Sequence, residues 1–210
     1  STTGSGGAGA TGTAGGLHTS AGGAGGVGVI GATLTIVNSG SISGGLSAGS
    51  GVRANAVSFT GGTNTLQLQN GYSFTGNVVA FSNADTLQLG GTANSSFDVS
   101  TIGASAQYQG FGVFQKLGTS TWTLTANNSG VMNWSVNAGT LLVNGIMSGS
   151  TMTVNSGGTL GGTGGVGTAN ISAGGIFAPG SGTPATSMTV GSLSLVSGSF
   201  YQVQVNPTTS

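Results

Sequence analysis

The side chains able to do acid, base or ligand chemistry are few enough to name: Arg53, Lys116, Asp85 and Asp98, with His18 as the single imidazole and no Cys or Glu. A hydrolase of paired carboxylates would have to use Asp85 and Asp98, but both read as turn-capping aspartates. Gly45-Leu46-Ser47-Ala48-Gly49 matches the spacing of a nucleophile elbow. That motif needs a strand before it, a helix after it and a later acid and base. The only histidine lies upstream of it, so Ser47 reads as a turn serine. Gly7, Gly9 and Gly12, and again Gly26, Gly28 and Gly31, have the spacing of a dinucleotide fingerprint. With 45 Gly in 210 residues about two such matches arise by chance, and the second precedes a strand with no acidic residue about 20 positions on. The expectation is a protein that is not an enzyme and carries no cofactor and no metal site.

Aromatic side chains are the remaining candidates for contact chemistry. Tyr72, Tyr108 and Trp134 would stack on sugar rings if exposed, or fill a core if not. Trp122 alternates in phase with Leu124, which turns it inward.

Along the chain the repeating period of the apolar residues is two. Thr33-Leu34-Thr35-Ile36, Thr65-Leu66-Gln67-Leu68, Thr86-Leu87-Gln88-Leu89 and Thr121-Trp122-Thr123-Leu124 each put apolar side chains on one face and polar ones on the other. Gly, Asn and Ser clusters such as Asn127-Asn128-Ser129-Gly130 bound them as turns. No window carries a helical apolar stripe, so the expectation is all-β. Residues 1–28 are a Gly/Ala-rich low-complexity stretch, either a flexible spacer or irregular turns. Residues 29–110 and 111–210 read as successive stretches of short strands.

Composition narrows the class. Only 2% of residues are charged, the net charge is zero and mean hydropathy is +0.26, which opposes disorder by charge and solvation. One Lys and one Arg cannot neutralise a phosphate backbone, so no nucleic-acid partner is expected. The repeat is clearest where Val136-Asn137-Ala138-Gly139-Thr140-Leu141 is followed by Val154-Asn155-Ser156-Gly157-Gly158-Thr159-Leu160 and by Ile171-Ser172-Ala173-Gly174-Gly175-Ile176-Phe177. The first positions are 18 and 17 residues apart, and Leu66 and Leu87 are 21 apart. A drifting period of 17 to 21 residues per turn suits a right-handed parallel β-helix, whose loops absorb the differences. The alternative is a β-sandwich of hairpins. One turn offers a handful of apolar side chains worth roughly 1.5 to 3 kcal/mol each, against about 1 to 2 kcal/mol of backbone entropy per ordered residue, so turns must stack to be stable.

These segments resemble the passenger domains of autotransporters, the type V secretion family. Phe114-Gln115-Lys116-Leu117-Gly118-Thr119-Ser120-Thr121-Trp122-Thr123-Leu124-Thr125 is similar to the family's recurrent Phe-x-Lys-x-Gly-x-Gly-Thr-Leu-Thr-Leu-Thr strand repeat, with Ser120 and Trp122 in place of Gly and Leu. Val136 to Leu142, Gly158 to Gly164 and Phe177-Ala178-Pro179-Gly180 follow in the family's order, and Gly51 to Val57 with Gly61 to Leu66 is similar to turns further upstream. The resemblance implies export across the outer membrane of a Gram-negative bacterium and residence at the cell surface or in the medium. It also implies an outer-membrane β-barrel of the same polypeptide as partner. The implied role is that of a β-helical stalk or adhesin contacting host or matrix glycans or proteins; the alternative is self-association into fibres, aggregates or biofilm. Residues 111–210 correspond to the autochaperone-like region that templates folding, with Phe111, Phe114, Trp122, Leu124 and Trp134 as the expected nucleus. Apart from the resemblance, Tyr72 and Tyr108 are the candidate ligand contacts, with core filling as the other reading of both.

Overall fold

The computed structural model describes Gly4–Ser5 and residues 23–205. The described residues form an all-β protein whose strand pairs are parallel, with a single 3-10 turn at Val99–Thr101 and no α-helix. A sandwich of hairpins would pair consecutive strands antiparallel. Here antiparallel contact among the described residues is limited to two isolated bridges, Leu46 with Arg53 and Gly162 with Gly180. The parallel ladders are consistent with a solenoid.

The described residues divide into two compact units, each built from more than one segment: those up to 66, 71–86 and 102–111 form the first, and 67–70, 87–101 and those from 112 on the second. In the first unit, Tyr108–Gln109, Val78–Val79, Val57–Gly61 and Val29–Ala32 lie side by side in one sheet. Gly4–Ser5, Ser41–Ser43 and Ser73–Thr75 form another. Its core gathers Val57, Phe59, Leu66, Val78 and Phe111, with the rings of Phe59 and Phe111 edge to face at 6.3 Å.

In the second unit the repeat is directly visible as register. One sheet runs through Val113–Lys116, Trp134–Val136, Ile146–Val154, Gly165–Ile171 and Thr189–Leu195; the other runs through Ser95–Asp98, Thr121–Thr125, Gly139–Val143, Gly158–Gly162, Ile176–Pro179 and Phe200–Tyr201. Val136 pairs with Val154 and Val154 with Ile171, while Leu141 pairs with Leu160 and Leu160 with Phe177. Each rung therefore takes one strand from each sheet, and the Asn-Gly-Ser corners between them carry the chain round. All six of these side chains are buried, stacked in inward columns, so removing one opens a gap against the rungs on both sides. At one corner the Nδ2 of Asn155 donates to the Oδ1 of Asn137 at 2.6 Å, linking successive turns.

Candidate functional site

The polar groups with chemical potential are committed to the fold. Asp85 is fully buried, and its carboxylate accepts from the backbone N–H of Asn64 at 2.8 Å and of Phe81 at 2.7 Å, and from the Asn64 Nδ2 at 3.0 Å. Asn64 in turn accepts the N–H of Leu34 at 2.8 Å. Asp98 caps the 3-10 turn by accepting the N–H and hydroxyl of Ser100. Both aspartates thus hold turns, and Asp85 is withdrawn from any substrate. The Oγ of Ser47 accepts the N–H of Gly25 at 3.1 Å, and Arg53 donates to the carbonyl of Gly44 at 2.6 Å. Gly26 and Gly28 precede the strand Val29–Ala32 and Gly31 lies within it, so no helix follows. His18 and the glycines at 7, 9 and 12 lie outside the described residues, as does most of the expected 1–28 spacer. Among the described residues no three metal-ligating side chains come together.

Lys116 is the least ordinary of these groups. It shares a face with Phe114 and pairs in register with Val136, in line with an aliphatic column. Its ammonium donates to the carbonyls of Leu117, Gly118 and Ala138 at 2.7, 3.0 and 3.1 Å, with no carboxylate partner among the described residues. Burial lowers its pKa to about 8. Gly118 and Gly139 shape this cage: both take positive φ, 69° and 65°, and a Cβ at Gly139 would press on the Lys116 Nζ.

The expected nucleus residues are all buried. Phe111 belongs to the first unit, and Phe114, Trp122, Leu124 and Trp134 to the second. Phe114 and Trp134 stack at 5.3 Å in register. Trp122 lies over Leu141, with its indole N–H donating to the Gly90 carbonyl at 3.0 Å, and Leu124 pairs with Phe97 and Val143. Tyr108 is 2% exposed and meets Phe74 edge to face at 5.9 Å, and burial raises its pKa above the ordinary tyrosine range, with Tyr72 adding to the effect. Its ring is a core contact, not a platform for a sugar, and Trp134 is buried likewise. Tyr72 is half-buried beside Phe74, with ring centroids 6.5 Å apart.

The second unit also carries a regular polar face. Opposite the core, Ser135, Thr153, Asn170 and Ser194 lie in one register column, and Thr151, Thr168 and Ser192 in the next. Strand geometry spaces neighbours in a column about 4.8 Å apart and the two columns roughly 6.6 Å apart. Every position is a neutral hydroxyl or amide, partly or fully exposed. Beside it runs a groove of about 410 Å³ lined by Asn127, Asn144, Ile146, Ser148, Thr163 and Val166. The Oδ1 atoms of Asn127 and Asn144 accept the N–H groups of Ile146 and Thr163. The period-two pattern held the signal for these columns, but only the register between rungs aligns them. No family model, no curated protein and no solved structure matches the chain.

Proposed function

We propose that this chain is a segment of a right-handed parallel β-helix from the exported passenger of a Gram-negative autotransporter, acting at the cell surface as a stalk that contributes to attachment. The observation that carries this reading is the pair of uncharged, in-register columns through Ser135, Thr153, Asn170 and Ser194 and through Thr151, Thr168 and Ser192. A regular array of neutral donors and acceptors suits a broad hydrogen-bonded contact with a neutral glycan or protein surface, whose strength comes from many weak bonds and depends little on salt. The Phe114 to Thr125 segment supports the family reading, and the stacked rungs support the solenoid. Its partners are then an outer-membrane β-barrel of the same polypeptide and a host or matrix surface. An enzyme reading gains nothing from Asp85, Asp98 or Lys116, whose polar atoms hold turns and carbonyls.

The test fuses the chain to an outer-membrane translocator and measures attachment of the displaying cells to immobilised neutral glycans and matrix proteins. Display should raise attachment above the empty translocator, and Thr153→Lys with Asn170→Lys should abolish the gain at equal surface level. Attachment indifferent to both changes would sink the adhesive role.

A further inference from the structure

Gly165 leaves a gap in an otherwise continuous column of side chains. It pairs with Ile146 on the rung before it and with Thr189 on the rung after it, and both of those residues are exposed. The backbone does not demand glycine at this point. Its φ is not left-handed, and an added Cβ would stand 3.8 Å from the Thr189 Cβ and 3.9 Å from the Ile146 Cγ2, at ordinary contact distance. The adjacent Gly164 is the opposite case, because its Cβ would strike the carbonyl oxygen of Gly145. The missing side chain at 165 opens the groove of about 410 Å³, a volume within the range of small-molecule sites. Rungs of this chain bound the gap on both sides, and Ile146, 54% exposed, supplies an apolar wall.

The rim of the groove is polar and held in place. Asn127 and Asn144 both line it, and their Oδ1 atoms accept the N–H groups of Ile146 at 2.7 Å and Thr163 at 3.1 Å. Those bonds orient each carboxamide, because a backbone N–H must meet its oxygen. The two Nδ2 groups donate to no group among the described residues. Ser148 reaches the same rim through a bulge: Met147 pairs with Val166 and Thr151 with Thr168, so four steps of one strand lie against two of the other. Bulges of this kind re-aim side chains beside sites. Residues 117–210 contain no Asp, Glu, Lys, Arg or His, so the groove has no ionic anchor. Its complement is a neutral group that joins a small apolar end to a hydrogen-bond acceptor, with hydroxyls around it.

We propose that this groove binds the acetamido group of an N-acetylated sugar in a neutral glycan. The methyl group fills the gap at Gly165 against Ile146, and the carbonyl oxygen accepts from the Nδ2 of Asn127 or Asn144. The ring hydroxyls meet the hydroxyls of Ser148 and Thr163. A plain sugar lacks the methyl, and an acetylated peptide side chain lacks the hydroxyls that match the rim. The inference rests on the attachment reading in naming a ligand class for the same unit, but none of the seven residues of the two polar columns lines the groove. The two claims therefore fail separately.

Saturation-transfer difference NMR of the 210-residue chain with N,N′-diacetylchitobiose reads the contact proton by proton. Cellobiose, which carries hydroxyls in place of the acetamido groups, and acetyl-lysine are the comparison probes. The acetyl methyl protons should receive the strongest transfer, and both comparison probes should bind about tenfold more weakly or worse. Gly165→Val fills the gap and should abolish the transfer with the circular dichroism spectrum and melt retained. If that variant disturbs the rung, Gly165→Ala, which adds only the Cβ, decides by weakening the transfer in the same way. No transfer at all, transfer spread equally over ring and methyl protons, equal binding of cellobiose or acetyl-lysine, or full binding by a folded Gly165 variant overturns the proposal. Failure of the attachment reading shows elsewhere, in displaying cells that ignore Thr153→Lys with Asn170→Lys.

Discussion

Trp122 and Trp134 are both buried indoles, but they differ in one hydrogen bond. The Nε1 of Trp122 donates to the Gly90 carbonyl, whereas that of Trp134 has no hydrogen-bond partner among the described residues. Trp122→Phe should therefore cost about 1 to 3 kcal/mol in a denaturant melt, since it removes ring volume and leaves a carbonyl unpaired, and Trp134→Phe should cost clearly less because it also removes an orphan donor. Lys116 makes a second residue-scale prediction. With its pKa near 8 in the fold and 10.5 unfolded, the native chain loses this proton first, so between about pH 8 and pH 10 the unfolded state binds more protons and stability rises with pH. Tyr108 acts in the opposite direction, but only above its ordinary value of 10.0, where the unfolded state ionises first. The melting temperature should climb from pH 8 to just below 10, and Lys116→Met should lack that climb. At pH 7 the same variant should be less stable than the parent by about 1 to 3 kcal/mol, because the Leu117, Gly118 and Ala138 carbonyls lose their donor.

Rungs, not isolated strands, are the elements that decide stability here. Leu160 is fully buried between Leu141 and Phe177, so Leu160→Ala should cost about 2 to 5 kcal/mol, while Ser135→Lys on the polar face should change the melt by less than about 0.5 kcal/mol. Much of this was legible in the chain: the alternation that turns Trp122 and Leu124 inward also aligns Val136, Val154 and Ile171, and the register confirms that alignment. The same alternation placed Lys116 on the face of Phe114, yet its cage stayed hidden, because the Ala138 carbonyl is 22 residues away and reaches the ammonium only when two turns stack. Tyr108 was open to either reading from sequence. Its short strand, Tyr108–Gln109, gives too little pattern to fix a face, and packing against Phe74 from another rung decided it. Phe111 looked continuous with Phe114, but it packs on Phe59, a distant segment that no local pattern links to it.

At the scale of the whole molecule, near-absence of charge is the property that ties the account together. A chain of 210 residues with two basic and two acidic side chains has little to gain from ionic partners, and its folding must rest on stacked apolar columns and backbone ladders. Such a ladder can be extended rung by rung from one end, which suits folding after passage through a membrane pore without a nucleotide-driven machine. If residues 111–210 template that process, deleting 111–206 should leave the remaining chain protease-sensitive at the surface, and Trp122→Ala should slow folding more than Phe59→Ala does. The most direct measurement is protease accessibility of the full chain displayed from an outer-membrane translocator on intact Gram-negative cells. The account predicts an antibody-accessible chain whose core resists added protease as one folded fragment. A chain retained inside the cell envelope, or exposed but digested throughout, would contradict it.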